Sequence, residues 1–216
     1  MAEAGARDEQ RRALVAVLAG GRARRMGVAK ASAPLCGRPL ICYPLRAARD
    51  AGLDAVVVAK RSSELPPLRE PVLSEPDRPR HPLCGVVAAL RHAGGPVIAV
   101  GCDMPFVSAD LLRWLGGGKR AVAARVRGRL QPLPALYSPG DLPVLEGALA
   151  AQRSMRATLQ ALGPRIVGED ELAAFGEPHR LCFSVNDARD MRTARGWLEG
   201  ASRARLGRGA RPGGGV

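Results

Sequence analysis

Three short stretches of the chain gather residues able to work on a phosphate. The first is Leu18-Ala19-Gly20-Gly21, followed by Arg22, Arg24, Arg25 and, shortly after, Lys30. Paired glycines let the backbone approach a polyphosphate with its N–H groups, while Arg25 and Lys30 neutralise charge. No Gly-Lys-Ser/Thr follows, so this is not a P-loop, and the spacing is not that of a dinucleotide fingerprint. The second stretch is Gly101-Cys102-Asp103-Met104-Pro105-Phe106. A carboxylate ending an apolar strand, with proline restricting the chain beyond it, suits an Mg²⁺ ligand beside phosphates, although a lone aspartate also serves as a turn or helix cap. The third is Glu75-Pro76-Asp77-Arg78-Pro79, leading through Pro82-Leu83 to Gly85. Asp77 can accept hydrogen bonds from a base or ribose and Gly85 permits close approach; taken alone the stretch is a turn.

The elements around these stretches explain why they would meet. Residues 13–19 are a continuous apolar run ending at glycine, the pattern of a strand buried on both faces. A helix is predicted over 39–51, with Pro44 kinking it or delaying its start, and a second buried strand over 54–60. Residues 62–82 read as a long loop around one short strand near Val72-Leu73. A helix at 83–94, a strand at 96–102 and a helix at 108–115, capped by Ser108, follow. This alternation predicts an α/β fold with a mostly parallel central sheet flanked by helices, whose ligands gather at the carboxyl ends of the strands. The second half predicts a small antiparallel element. Segments 120–126 and 130–138 flank Arg127-Gly128-Arg129, followed by helices at 141–151 and 154–162, a strand at 181–185 and a helix at 187–199. With no linker and no repeat, the expected layout is a flexible extension over 1–12, one domain over 13–200 and a disordered basic tail over 201–216.

Composition narrows the function classes. The chain is 46% hydrophobic and 25% charged, as in ordinary globular proteins, but only 3% aromatic, so its core rests on Val, Leu, Ala and Ile. No apolar run reaches the roughly 20 residues of a membrane helix, and the polar, acid-bearing N-terminus resembles neither a signal nor a transit peptide; the expected location is the cytoplasm. The five cysteines are scattered without a CxxC pair, and the three histidines do not cluster, so neither a disulfide framework nor a zinc site is expected. The cysteines read as small buried hydrophobes. The net charge of +13 raises nucleic-acid binding, but the charge is nearly all Arg and partly concentrated at the ends, and a basic surface equally suits a phosphate-bearing substrate. Nothing resembles a stacking platform or a helix-turn-helix, so no specific nucleic acid is expected as partner.

Taken together, the glycine stretch with Arg25-Met26-Gly27 and Lys30, Asp77-Arg78-Pro79 with Pro82-Leu83 and Gly85, and Cys102-Asp103-Met104-Pro105 resemble the molybdenum cofactor guanylyltransferase family. Gln131-Pro132-Leu133, Ala135-Leu136-Tyr137 and Ser184-Val185-Asn186 resemble that family's later motifs, and the likeness spans roughly 13–198. The resemblance implies a Rossmann-like nucleotidyltransferase. GTP and a phosphorylated molybdopterin would be its substrates, Mg²⁺ its metal, and cofactor-biosynthesis proteins or molybdoenzymes its transient partners. By position, Leu18, Ala19 and Gly20 would meet GTP, Lys30 its phosphates, Asp77 the guanosine, Asp103 the metal, and Ser184 and Asn186 the pterin; Gly21, Arg25 and Gly85 join the candidate nucleotide site on the reading of the loops above. The chain departs from the pattern at three places: Ala29 precedes the lysine where an Asp is usual, Ala59-Lys60-Arg61 stands where an Asn is expected, and Ser184 replaces the first Asn of the late motif. These changes bear on base choice and on the pterin. They leave open CTP or another NTP with the same pterin or a small phosphorylated metabolite, and a non-catalytic nucleotide-binding protein.

Overall fold

A computed structural model describes residues 12–20 and 29–209, with side chains described as far as residue 200. Its centre is the apolar run that opens the sequence. β1 (Leu14–Leu18) is followed by a two-residue hairpin, β2 (Pro34–Leu35) and β3 (Arg38–Pro39), then α1 (Cys42–Asp50), β4 (Ala55–Lys60) and β5 (Val72–Glu75). Next come α2 (Leu83–Ala93), β6 (Val97–Gly101), α3 (Ala109–Gly116), β7 (Val122–Val126) and β8 (Arg129–Tyr137). The chain continues through α4 (Leu142–Ala150), α5 (Met155–Ala161), β9 (Arg165–Val167), α6 (Glu169–Leu172), α7 (Pro178–Leu181) and α8 (Ala188–Gly209). Seven strands form one sheet in the order β5-β4-β1-β6-β8-β7-β9. β5, β4, β1 and β6 run parallel; β8 is antiparallel to β6 and β7. From β1 the chain first builds outward through β4 and β5, then returns to lay β6 on β1's other side. That reversal opens a crevice beyond the strands' carboxyl ends.

Strand alternation sends successive apolar residues to opposite faces, and both faces are covered. Val15, Val17, Val57, Ile98 and Val100 pack with α1 and α3 through Leu45, Leu111, Leu112 and Leu115. Ala16, Val56, Val58, Val97 and Ala99 pack instead with α2, α4 and α5 through Val86, Leu90, Leu145 and Leu159. Small side chains bring the helices close, so a core poor in aromatics still fills. A third cluster, Ala33, Leu35, Leu40, Val185 and Ala194, seats the β2–β3 hairpin against α8.

Local signals act as their chemistry requires. Ser108 and Ser154 accept from the N–H groups of Leu111 and Ala157 to cap α3 and α5. Gly94 closes α2 in the left-handed conformation, φ 57°. Pro44 lies in the first turn of α1, where an N–H has no helical partner to lose, so the helix begins at Cys42 unkinked by it. The β7–β8 hairpin turns at Arg127 and Gly128, both with positive φ, the twist a two-residue turn needs.

Two expectations fail. Residues 182–187 are not a strand: α7 ends at Leu181, and the segment beyond joins no sheet. Its apolar residues are explained by the third cluster, where Val185 is fully buried and Phe183 packs alongside. The C-terminal segment expected to be a disordered tail from 201 is helical to Gly209, because Arg, Ala and Leu extend α8 with good helix propensity; residues 210–216 lie outside the described residues, as do 1–11. The short strand β9, parallel to β7, was not anticipated.

Candidate functional site

The carboxyl ends of β1, β4, β5 and β6 surround a cleft of about 1360 Å³. Leu18, Ala19, Gly20, Lys30, Asp77, Gly85, Asp103 and Asn186 all line it. The sequence therefore identified one place in the fold, from segments far apart in the chain. Gly21 and Arg25 lie outside the described residues.

One end of the cleft is organised around Asp103. β6 is buried throughout, and past its end the Cys102 N–H still bonds to the Leu18 carbonyl at 3.1 Å, extending the grip of β1 to the residue before the aspartate. A turn closes with the Met104 N–H on the Gly101 carbonyl. A Cβ at Gly101 would overlap Asp103 Oδ1, so a larger residue there would displace the carboxylate from this position. Asp103 Oδ2 accepts from Lys30 Nζ and, at 2.6 Å, from Ser184 Oγ. Lys30 Nζ also donates to Asn186 Oδ1 at 2.8 Å, and Asn186 Nδ2 donates to the Ser184 carbonyl at 2.9 Å. Segment 182–187 is tied directly to this corner by the Val185 N–H, which bonds the Asp103 carbonyl at 2.9 Å. Behind it, Phe183 and Phe106 pack edge-on against Trp197 of α8, with ring centroids 4.9 and 5.3 Å away. In this arrangement Ser184 and Asn186, expected to meet the second substrate, are wired to Asp103 and Lys30.

The other end holds two residues that were not chosen as site residues, although Lys60 stood out in the sequence as a departure bearing on base choice. Lys60 and Glu75 are register partners at the ends of β4 and β5. Lys60 Nζ lies 3.5 Å from Glu75 Oε1 and donates to the Pro76 carbonyl at 2.7 Å. Glu75 is 7% exposed, and burial pushes its carboxyl above the usual carboxylate range, against the opposing pull of Lys60. A Cβ at Gly20 would overlap the Glu75 carboxylate; one at Gly85 would lie 3.2 Å from Glu75 Oε2 and 2.9 Å from Leu18 Cδ2. These glycines therefore make room for a buried carboxylate facing the cleft. Asp77, the acid chosen from sequence, sits exposed at the rim. The missed signal was non-local: a lysine and a glutamate ending two strands that pair.

Among the described residues no three His, Cys, Asp or Glu side chains group to hold a metal. A lone carboxylate at Asp103 fits Mg²⁺, which binds through one or two carboxylates together with substrate phosphates and water. Cys102 is not a nucleophile here: burial, reinforced by the Asp103 charge, pushes its thiol up to about 12. Cys84 and Cys102 are buried as expected of cysteines used as small hydrophobes, but Cys36 is exposed. No helix among the described residues is long and apolar enough to cross a membrane.

Comparison with known proteins agrees with this architecture. The family model described as MobA-like NTP transferase domain matches residues 15–166. The chain is 39% identical over 158 residues to a probable molybdenum cofactor guanylyltransferase of Opitutus terrae, covering 68% of this chain and 77% of that one. It is 30% identical to a protein of the same description from Pelotomaculum thermopropionicum, covering 88% of this chain and 95% of that one. The crystal structure of molybdopterin-guanine dinucleotide biosynthesis protein A from Archaeoglobus fulgidus superposes with a TM-score of 0.73 at 25% identity, over 87% of this chain and 99% of that one.

Proposed function

The chain belongs to the molybdenum cofactor guanylyltransferase family of MobA-like NTP transferases and is a nucleotidyltransferase, and from that premise we propose that it transfers GMP from GTP to phosphorylated molybdopterin. The observation that supports this reading is the joining of Lys30, Asp103, Ser184 and Asn186 into one network at the cleft.

A terminal phosphate oxygen of the pterin attacks the α-phosphorus of GTP. The new P–O bond forms as the bond to the β-phosphate bridging oxygen breaks, and pyrophosphate leaves with the electron pair. Mg²⁺, held by Asp103 and the phosphates, would neutralise charge on the triphosphate. Lys30 is placed to turn from Asp103 to the phosphates, supplying positive charge without a change in its own protonation. Gly20 brings the backbone close at the end of β1. Asn186 borders the cleft where the acceptor would arrive, and the hydrogen bonds of Ser184 and Asn186 hold Asp103 and Lys30 in register. No side chain forms a covalent bond in this scheme, so the rate comes from positioning and charge. We place the reaction in the cytoplasm, where GTP is supplied.

The test is a panel of the four NTPs with and without molybdopterin and Mg²⁺, reading pyrophosphate release. Release with GTP that depends on the pterin and the metal is the expected result. Release with CTP instead, or none with any NTP, overturns the proposal.

A further inference from the structure

We propose that Lys60 and Glu75 together read the base, Lys60 donating to guanine O6 while Glu75 accepts from N1–H and the 2-amino group. This rests on the nucleotide site and the GTP reading proposed above.

The pair is built into the sheet. Its members are register partners at two adjacent strand ends, both face the cleft, and their side chains are only 11% and 6% exposed. An ion pair so enclosed costs desolvation and by itself is weak evidence for a stabilising role. Two neighbouring positions are glycine where a Cβ would press on the carboxylate, which keeps Glu75 open to the cleft. Donor counting leaves capacity for a ligand. An ammonium has three donors; the Pro76 carbonyl takes one and Glu75 Oε1 lies within reach of another, leaving the third. A carboxylate accepts about four hydrogen bonds, so Glu75 has acceptor sites to spare.

The chemistry also narrows the alternatives. Phosphate would meet the Glu75 charge at this end, whereas Lys30 awaits it at the other. A neutral edge offering acceptor then donor fits Lys-then-Glu; uracil offers O4 and N3–H in that order but turns an acceptor, O2, toward the carboxylate where guanine has its 2-amino donor. Guanine has O6, then N1–H, then the 2-amino group. Adenine and cytosine present a donor to the lysine and an acceptor to the carboxylate, a mismatch at both atoms. A site built from buried hydrogen-bonding groups rejects such ligands strongly, because its own groups are left unpaired.

The test is calorimetric binding of GTP, ITP, ATP and CTP in Mg²⁺ without pterin, to wild type, Glu75→Gln and Lys60→Met, with melting curves for each protein. Inosine keeps O6 and N1–H but lacks the 2-amino group. Wild type should bind GTP about tenfold or more tightly than ITP, and ATP and CTP weakly. Glu75→Gln should weaken GTP about ten- to a hundredfold and collapse the GTP-to-ITP ratio, whereas Lys60→Met should weaken both and keep that ratio. Equal GTP and ITP binding by wild type overturns the contact without any variant. A ratio unchanged in a well-folded Glu75→Gln protein, or undiminished affinity in Lys60→Met, overturns the pair while leaving the GTP reading intact. A wild type that prefers another base overturns the GTP reading itself.

Discussion

Replacing Asp103 with Asn separates the charge of the cleft from its shape. Asn has the same outline, so the tight space beside Gly101 is respected. In the native protein Asp103 Oδ2 accepts from both Lys30 Nζ and Ser184 Oγ, and the side chains of the ion pair are 17% and 14% exposed. With the amide oxygen in that position both donors keep an acceptor, and only the charge-assisted part of each bond is lost. Charge-assisted bonds are roughly twice as strong as neutral ones, which puts the loss at about 1–3 kcal/mol. For a chain of this size that lowers Tm by about 2–12 °C, since each kcal/mol shifts it by about 2–4 °C. Lys30 retains Asn186 Oδ1, which limits the disturbance. Turnover should fall much further, on the order of a hundredfold, because the charge proposed to hold Mg²⁺ against the triphosphate is gone. Tm and Mg²⁺-dependent pyrophosphate release are measured on one preparation. A folded variant with near-normal turnover and unchanged Mg²⁺ dependence refutes the reasoning and makes Asp103 a turn residue.

Lys30→Ala should weaken GTP binding about ten- to a hundredfold by calorimetry, the value of hydrogen bonds to a charged group, and equal affinity removes Lys30 from the phosphate site. Gly20→Ala should disrupt nucleotide binding, because the new methyl group overlaps the Glu75 carboxylate; the double variant with Glu75→Ala should regain cleft volume without regaining base choice, as ITP-versus-GTP titration would show. The pH dependence of GTP affinity follows from Glu75. Its carboxyl is raised by burial, and only the ionised form offers both oxygens as acceptors to the proposed N1–H and 2-amino donors, so affinity should fall as pH drops through a limb set by the carboxyl's raised titration. In Glu75→Gln that limb should vanish; its persistence would assign it to another group.

The β1, β4 and β6 strands were legible because strands buried on both faces must be apolar without interruption, and glycine or a chemical residue ends each run. The helix cap at Ser108 was readable for the same local reason: a side-chain oxygen and the N–H it satisfies lie three residues apart. The strand expected over 181–185 was misread because Leu181, Phe183 and Val185 alternate in apolar character, yet Leu181 ends α7 and packs into the main core, while Phe183 and Val185 pack with α8 and the β2–β3 hairpin. Periodicity records that a residue is buried, not what buries it.

From the sequence alone came the fold class and, as candidates, the glycine loop, Lys30 and Asp103, each marked by residue type and place at a strand end, while Ser184 and Asn186 were marked only by resemblance to a family motif. Only the tertiary structure decided what those residues do to one another. Lys30 meets Asn186 across 156 residues of chain, and Ser184 meets Asp103 across 81. It also decided between two acids two positions apart: Glu75, in register with Lys60, points into the protein and is buried, while Asp77, past the strand's end, is exposed. Residue type does not tell where a strand stops: pairing with the neighbouring strand, which no local window contains, ends at Glu75, so Glu75 is held in register while Asp77 lies beyond the ladder.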